Sequence, residues 1–155
     1  MQPIKILLVC LGNICRSPSA QAVLQHKATL LQLKLDIDSA GTSASHKGER
    51  PDSRSIRAGL NRGYHFDGLH SRPVFERDFI DFDLILAMDN DNLAELVRRC
   101  PPEYRHKIRL FLEYHPDYPQ VTEVPDPYYS GSKGFELVLD LIEQASEQLL
   151  QQLKN

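Results

Sequence analysis

The chain has few cysteines, no long apolar run and no excess of positive charge, and each absence excludes a class of protein. Its 155 residues contain three cysteines, Cys10, Cys15 and Cys100, too few for a disulfide framework and typical of a reducing compartment such as the cytoplasm. No apolar run approaches the roughly 20 residues of a membrane span, so we expect no membrane association. The formal charge of −3, from 18 Lys and Arg against 21 Asp and Glu, argues against a nucleic-acid binder.

The sequence also lacks the patterns of a metal site or a repeat protein. Cys10 and Cys15 do not have the C-x-x-C redox spacing, and no second Cys/His cluster supplies zinc ligands. We therefore expect neither a metal nor a cofactor. The composition, with 41% hydrophobic and 25% charged residues, is that of an ordinary globular protein. The length predicts one domain covering residues 1–155.

Short apolar runs alternate with helical patterns along the chain. Runs rich in Ile, Leu and Val predict strands near 4–9, 35–39, 82–88 and 108–112. Helices are predicted from Ser17 and Pro18 onward, at 53–61, at 91–99 and at 135–153, with a long proline-rich loop between 114 and 132. The alternation predicts an α/β fold: a single domain with a four-stranded parallel sheet and helices on both faces.

The turn after the first strand has the residues of a phosphate-binding loop. It runs from Cys10 to Ser17 and reads CLGNICRS. A strand-to-helix turn can direct successive backbone N–H groups at an anion, and Arg16 can donate two hydrogens to phosphate oxygens. A helix N-terminus and a guanidinium both favour the thiolate of Cys10. The loop therefore pairs a cysteine nucleophile with an oxyanion receptor, and it matches neither nucleotide-binding glycine motif.

Four motifs resemble the low-molecular-weight protein tyrosine phosphatases over nearly the whole chain. They are VCLGNICRSP at 9–18, DSAGT at 38–42, DLILAMD at 83–89 and DPYY at 126–129. The resemblance implies hydrolysis of phosphotyrosine and aryl phosphates through a cysteinyl-phosphate intermediate. It also implies a phosphotyrosine-containing protein as substrate, with a bacterial tyrosine kinase as a candidate.

The resemblance implies a role for each residue of the site. Cys10 would attack phosphorus, Arg16 would bind the phosphate oxygens, and Asp126 would protonate the leaving group and later activate water. From the residues alone, Asp126 between two prolines is an ordinary turn residue. Phosphate binding and support of the loop would fall to Leu11, Gly12, Asn13, Ile14, Cys15 and Ser17. The substrate cleft would be lined by Ser45, His46, Tyr128 and Tyr129, and His70, with Arg72, would support the loop from below.

Three positions bear on specificity and regulation. Ile14 stands where phosphoarginine phosphatases of the family carry threonine, which favours phosphotyrosine. Ser45 stands where the family usually has an aromatic residue, so we expect a cleft that is more open on that side, with His46 as a substitute flat face. Cys15 faces the nucleophile in the family, which implies that a sulfenic acid on Cys10 can be trapped as a disulfide.

Three alternative functions share the cysteine loop. A thiol-dependent arsenate reductase needs two further downstream cysteines, and this chain has Asp89 and Asn90 in that region with Cys100 alone beyond them. A non-catalytic phosphotyrosine-binding module does not need Cys10, Arg16 and Asp126 together. A phosphocysteine component of a transporter does not need a general acid, so replacing Asp126 distinguishes it from a phosphatase.

Overall fold

Four parallel strands form one sheet in the computed structural model, which describes residues 2–154. Their order in the sheet is β2-β1-β3-β4, which places β1 and β3 side by side at the centre. The strands are β1 Ile4–Cys10, β2 Leu35–Gly41, β3 Leu84–Ala87 and β4 Ile108–Leu110. The predicted four-stranded parallel sheet is confirmed.

In the described part of the chain, residues 2–154, five α-helices connect and cover the strands. They are α1 Arg16–Leu30, α2 Ser53–Leu60, α3 Asp78–Asp81, α4 Asn90–Arg99 and α5 Ser132–Lys154. Two 3₁₀ segments, Pro102–Lys107 and Phe111–Tyr114, flank β4. Within residues 2–154 no helix is both long and apolar enough to cross a membrane.

The alternating side chains of β1 divide the core into two layers. Ile6 and Leu8 pack on one face with apolar residues of α1, α2 and α5. Leu7 and Val9 pack on the other face with residues of α3 and α4. All four side chains are fully buried, as expected for a parallel strand with helices on both faces. The predicted two-sided helical cover is therefore confirmed.

The sheet order places the first loop where a ligand site is expected. The connection from β1 leads through α1 to β2 on one side, while β3 lies on the other side of β1. Helices on opposite faces leave a crevice beyond the carboxyl ends of the two central strands, and ligands of such sheets bind there. Cys10 is the last residue of β1 and opens into this crevice.

Several predicted bounds differ from the structure: β2 extends to Gly41, β3 is confined to Leu84–Ala87, and α5 begins at Ser132. Three further differences have a clear physical reason. α1 begins at Arg16, one residue before the predicted cap, because the Ser17 hydroxyl bonds to Cys10 and Asn13 rather than to a helix N–H. β4 ends at Leu110, since the chain turns into a 3₁₀ segment at Phe111. The four-residue helix α3 was not predicted, because one helical turn is too short to show periodicity.

Candidate active site

Hydrogen bonds from outside hold the backbone of the loop 10–16 in a fixed shape. The carbonyl oxygens of Cys10 and Leu11 accept from the amides of Thr42 and Ser43, each at 2.9 Å. The Gly12 carbonyl accepts from the Ser71 hydroxyl at 2.9 Å. Further along, the Ile14 carbonyl accepts from the Asp52 amide at 2.8 Å.

These outward carbonyls turn the following N–H groups inward. In a trans peptide the carbonyl of one residue and the amide of the next point in opposite directions. The amides of Leu11, Gly12, Asn13 and Cys15 therefore face the space that the loop encloses. The Asn13 amide shows this directly, since it donates to the Cys10 sulfur at 3.3 Å. Such converging N–H groups form a receptor for an anion.

The Asn13 side chain fixes the shape of the loop through hydrogen bonds. Its backbone has a φ of 56°, in the left-handed region that asparagine tolerates better than most residues. Its side-chain oxygen accepts from the Arg72 amide at 3.0 Å. Its side-chain nitrogen donates to the hydroxyls of Ser17 at 2.7 Å and Ser39 at 3.0 Å. The side chain thus makes three hydrogen bonds while it is almost fully buried.

These bonds determine which way the Ser17 hydroxyl points. The Ser17 oxygen already accepts from Asn13, and its other close partner is the Cys10 sulfur at 3.0 Å. The hydroxyl hydrogen is therefore free to be donated to the sulfur. Two donors, the Ser17 hydroxyl and the Asn13 amide, then converge on Cys10, and hydrogen bonds of this kind favour a thiolate.

Arg16 is buried and anchored at the edge of the loop. Its Nη1 donates to the Asp89 carboxylate at 2.6 Å and to the Val124 carbonyl at 3.1 Å. Within residues 2–154 these Nη1 contacts are the hydrogen bonds of the guanidinium, which leaves Nε and Nη2 to bind two oxygens of a ligand. Burial disfavours the charge, but the Cys10 sulfur and Asp89 outweigh it and raise the pKa of Arg16.

Asp126 lies on the rim of the loop, half-exposed. One carboxylate oxygen accepts from the Tyr128 amide at 3.0 Å, and the other lies 3.7 Å from Nη2 of Arg16. The Tyr128 and Tyr129 rings meet edge to face with centroids 5.0 Å apart, and Tyr129 is 96% exposed. Asp126 and the two tyrosines therefore form one wall of the site.

His46 forms a second wall of the cavity, close to Tyr128. Its ring centroid lies 6.4 Å from that of Tyr128, and its Nδ1 lies 3.1 Å from a carboxylate oxygen of Glu49. A Cβ at Gly12 would lie 2.9 Å from the His46 ring, so glycine is required there for the ring to rest on the loop. Ser45 also lines the cavity, with its amide bonded to the Ser43 hydroxyl.

The loop and the two walls enclose a cavity of about 230 Å³. Cys10 is at its floor and only 2% exposed, so a ligand must enter the cavity to reach the sulfur. Its lining residues are Cys10, Leu11, Gly12, Ile14, Cys15, Arg16, Ser45, His46, Asp126, Tyr128 and Tyr129. Within residues 2–154 no group of three or more His, Cys, Asp or Glu residues is placed to hold a metal ion.

Comparison with known proteins agrees with this geometry. The family model described as low molecular weight phosphotyrosine protein phosphatase matches residues 5–155. The chain belongs to this family. A phosphatase of that name from Schizosaccharomyces pombe is 46% identical over 136 residues, covering 85% of each chain.

Two solved structures show the same fold throughout. A protein tyrosine phosphatase from Entamoeba histolytica is 48% identical with a TM-score of 0.93, over 97% of each chain. A Drosophila arginine phosphatase is 34% identical with a TM-score of 0.91, over 98% of this chain and 99% of its own. The family's fold thus extends to a protein named for a different substrate, so side chains rather than the fold must distinguish the two specificities.

The structure does not place His70 beneath the phosphatase loop. His70 is exposed, and its ring nitrogen faces the Gly68 carbonyl at 3.2 Å. The next two residues support the loop instead, through the Ser71 hydroxyl and the Arg72 amide. Arg72 is fixed in turn by Asp38 and Asp78, each at 3.0 Å. The expected support is therefore present, but a hydroxyl and a backbone amide supply it.

Sequence reasoning missed three other side chains of the site. Asp89 holds Arg16 and also caps α4, where it accepts from the Asn92 amide at 2.7 Å. Ser39 bonds to Asn13 and donates to the side-chain oxygen of Gln21 at 2.6 Å. Asp89 and Ser39 both lie in motifs that resemble the family, and that membership could have identified them. Gln21 lies on α1 outside these motifs, so the sequence gave no sign of its role.

The position of Cys100 bears on the arsenate reductase alternative. Cys100 is buried after α4, and its thiol lies 3.3 Å from the Pro101 carbonyl. It does not line the cavity of Cys10. All three cysteines are free thiols, and Asp89 serves to hold Arg16. Asp89 and Cys100 therefore do not supply the two downstream thiols beside the cavity that a disulfide relay needs.

Proposed function

We propose that this chain hydrolyses phosphotyrosine in proteins, and aryl phosphates, through a phosphocysteine intermediate on Cys10. The observation that supports this best is the convergence of Cys10, Arg16 and Asp126 on one cavity. A binding module would not need a half-exposed carboxylate on the rim beside the nucleophile. Release of inorganic phosphate from a phosphotyrosine peptide is the first test.

In the first step the Cys10 sulfur attacks phosphorus while the bond to the tyrosine oxygen breaks. Arg16 and the inward amides of the loop bind the three remaining phosphate oxygens, whose charge they stabilise in the transition state. Asp126 donates its proton to the departing phenolate oxygen. The products are tyrosine and phosphocysteine at Cys10.

In the second step water hydrolyses phosphocysteine. Asp126, now ionised, accepts a proton from the water as its oxygen attacks phosphorus and the sulfur leaves. The Ser17 hydroxyl and the Asn13 amide stabilise the sulfur as it regains negative charge, since both lie within hydrogen-bonding distance of it. Inorganic phosphate and the Cys10 thiolate are regenerated.

The walls of the cavity favour an aromatic leaving group. Tyr128 and His46 present neighbouring flat rings at the entrance, against which a phenyl ring can stack. Ile14 lines the cavity with an apolar side chain, where a guanidinium would lose hydrogen bonds to water without recovering them. We therefore propose phosphotyrosine rather than phosphoarginine, and the ratio of kcat/KM for the two substrates tests this choice.

Replacing Asp126 with asparagine is expected to lower kcat/KM for phenyl phosphate about 100- to 10,000-fold, the range of a general acid. The loss should shrink as the leaving phenol becomes more acidic, because a stable phenolate needs no proton. The measurement is kcat/KM across a series of substituted phenyl phosphates. Asp117→Asn, an exposed aspartate of the same long loop, is the matched control. An equal loss for every leaving group would contradict proton donation by Asp126.

We also propose a cytoplasmic enzyme that acts on a tyrosine-phosphorylated protein, with a bacterial tyrosine kinase as the candidate. The three free thiols support a reducing compartment. Redox control would use Cys15, which lines the cavity of Cys10. Burial raises the pKa of the Cys15 thiol to about 12, although a hydrogen bond with Ser55 opposes this. Cys15 is therefore protonated at neutral pH, and its thiol loses the proton as it attacks oxidised Cys10.

Replacing Cys15 with serine is expected to make inactivation by hydrogen peroxide harder to reverse. Peroxide oxidises the Cys10 thiolate to a sulfenic acid. The Cys15 sulfur then attacks the Cys10 sulfur, so that a disulfide forms and the hydroxyl group leaves with the Cys15 proton as water. Without Cys15 further peroxide oxidises Cys10 beyond recovery. The measurement is the activity regained with dithiothreitol after a fixed exposure, and Cys100→Ser is the control that should recover like the wild type. Equal recovery in Cys15→Ser would count against the trapping role.

Replacing Gln21 with methionine is expected to weaken the hydrogen bonds to the Cys10 sulfur indirectly, because Gln21 acts through Ser39 and Asn13. The Gln21 nitrogen donates to the Ile37 carbonyl at 3.2 Å, which leaves its oxygen to accept from Ser39. Asn13 donates one side-chain hydrogen to Ser39 and the other to Ser17 beside Cys10, so Gln21 and Ser39 fix the orientation of the Asn13 amide group. Loss of one such bond is worth about 0.5–1.5 kcal/mol, or roughly two- to tenfold in kcat/KM.

The readout specific to this role is the pH profile of Cys10 alkylation by iodoacetate. The profile should move toward higher pH in Gln21→Met and stay in place in Gln25→Met, a substitution one turn further along α1. Gln25 is exposed and bonds only to Thr29 among the described residues. A profile that does not move in Gln21→Met would show that Gln21 is merely structural.

A further inference from the structure

A second cavity adjoins the catalytic one and has no part in the chemistry described above. It lies between α2 and the beginning of α5 and has a volume of about 390 Å³. Its floor includes the ring of Phe135, and polar groups of Arg54, Arg57, Asn61 and Ser132 surround it. A cavity with an apolar floor and several hydrogen-bond donors suits an amphipathic or charged side chain.

Arg54 lines the second cavity and lies beside Tyr128, which lines the catalytic one. Its guanidinium lies 5.3 Å from the centroid of the Tyr128 ring and 4.8 Å from that of Phe135. Nε and Nη2 each bond to a carboxylate oxygen of Asp52 at 3.0 Å, which fixes the guanidinium between the two rings. Tyr128 belongs to the catalytic cavity and Phe135 to the second one. A substrate peptide that leaves the catalytic cavity past Tyr128 therefore reaches the second cavity next.

The charge along this side of the cleft is positive. Residues 44–61 contain Lys47, Arg50, Arg54 and Arg57 but only two acids, Glu49 and Asp52, whereas the whole chain has a net charge of −3. Arg57 is exposed, and no carboxylate of residues 2–154 forms an ion pair with it.

Among residues 2–154 Glu136 is the acid that lines the second cavity, and it pairs with Arg62 at 2.7 Å. Arg62 also pairs with Asp140 and Glu143, so three carboxylates share one guanidinium there.

Arg57 is the arginine of this cavity that has no carboxylate partner among the described residues. Arg54, by contrast, pairs with Asp52, the residue that caps α2. Arg57 is therefore the group that would attract an acidic ligand, with the amide of Asn61 and the hydroxyl of Ser132 as further donors.

We propose that this second cavity binds an acidic side chain of the substrate, close in sequence to the phosphotyrosine. The proposal rests on the phosphatase function proposed above and narrows its substrate class to acidic phosphotyrosine segments. An extended peptide advances roughly 3.3 Å per residue, so positions within about three residues of the phosphotyrosine can reach past Arg54 to Arg57. Arg57 would be a specificity-determining residue.

The test uses peptides with phosphotyrosine at the centre, alanine elsewhere, and one glutamate moved through the three positions on either side. For each protein the readout is the ratio of kcat/KM for a glutamate peptide to kcat/KM for the all-alanine peptide. In the wild type this ratio should reach roughly two- to fivefold at one or two positions, the size expected for an exposed ion pair. It should fall with added salt.

Reversing the charge at Arg57 should reverse the preference. In Arg57→Glu the glutamate ratio should drop below one, and a peptide with lysine at the same position should become the better substrate. Arg98→Glu, an exposed arginine on α4 away from the cleft, is the matched control and should keep the wild-type ratio. Ratios near one at every position, or a glutamate preference that survives in Arg57→Glu, would overturn the proposal.

These outcomes are separable from failure of the phosphatase function itself. Phenyl phosphate has no flanking residues, so its hydrolysis by the wild type tests the catalytic cavity alone. Hydrolysis of phenyl phosphate with no peptide preference would overturn the second site and leave the proposed function intact. Absence of hydrolysis would overturn both.

Discussion

Replacing Cys10 with serine is expected to lower kcat/KM for an aryl phosphate by at least about ten-thousand-fold, as loss of a nucleophile does elsewhere. The serine hydroxyl stays protonated where the thiol becomes an anion, and it is therefore a poor nucleophile. The Cys10 sulfur has two hydrogen-bond donors beside it, the Ser17 hydroxyl at 3.0 Å and the Asn13 amide at 3.3 Å. The measurement is steady-state hydrolysis of phenyl phosphate.

Phosphate binding provides the control for this variant. The inward amides and Arg16 stay in place in Cys10→Ser, so inorganic phosphate or a non-hydrolysed aryl phosphate should still bind, as measured by calorimetry. Cys100→Ser, at a buried cysteine outside the cavity, should keep its activity. Substantial turnover in Cys10→Ser would mean that another group attacks phosphorus.

Replacing Arg16 with lysine is expected to lower kcat/KM about a thousandfold or more, the size of effect seen when a transition-state arginine is lost. Lysine keeps the positive charge but cannot bind two phosphate oxygens in one plane while also holding Asp89. Both kcat and KM should worsen, because the ground state and the transition state each use the guanidinium. The measurement is the full dependence of rate on phenyl phosphate concentration.

Thermal unfolding separates a catalytic from a structural effect of Arg16→Lys. Arg16 is buried and paired with a carboxylate, so the variant is expected to lose some stability. Asp126→Asn leaves the Arg16–Asp89 pair intact, so its unfolding temperature should stay close to that of the wild type. A folded Arg16→Lys protein with kcat/KM within about tenfold of the wild type would contradict the role given to the guanidinium.

The elements that could be predicted from sequence are those whose signal is local. The apolar run of β1 and the CLGNICRS turn are contiguous, and burial of the strand on both faces leaves few other arrangements. The edge of the sheet where Cys10 emerges then follows from the parallel topology. Prediction of the nucleophile and its loop therefore needed only about ten residues of chain.

The parts that could not be predicted depend on contacts between distant residues. Arg16 and Asp89 are 73 positions apart, and nothing near either residue shows that they pair. Ser71 and Arg72 support the loop through a hydroxyl and a backbone amide, whereas the role predicted for His70 depended on the family resemblance alone. The second cavity depends on Arg54 lying between two rings from another part of the chain.

Mass spectrometry of acid-quenched enzyme during turnover tests the central claim most directly. Phosphoryl transfer through sulfur predicts one phosphoryl group on the peptide that contains Cys10. The amount of this phosphorylated peptide should be higher in Asp126→Asn when the leaving group is an acidic phenol, because hydrolysis of phosphocysteine is then the slow step. The same peptide from Cys10→Ser should carry none. Rapid release of phosphate by the wild type with no phosphorylated Cys10 under any of these conditions would contradict the mechanism.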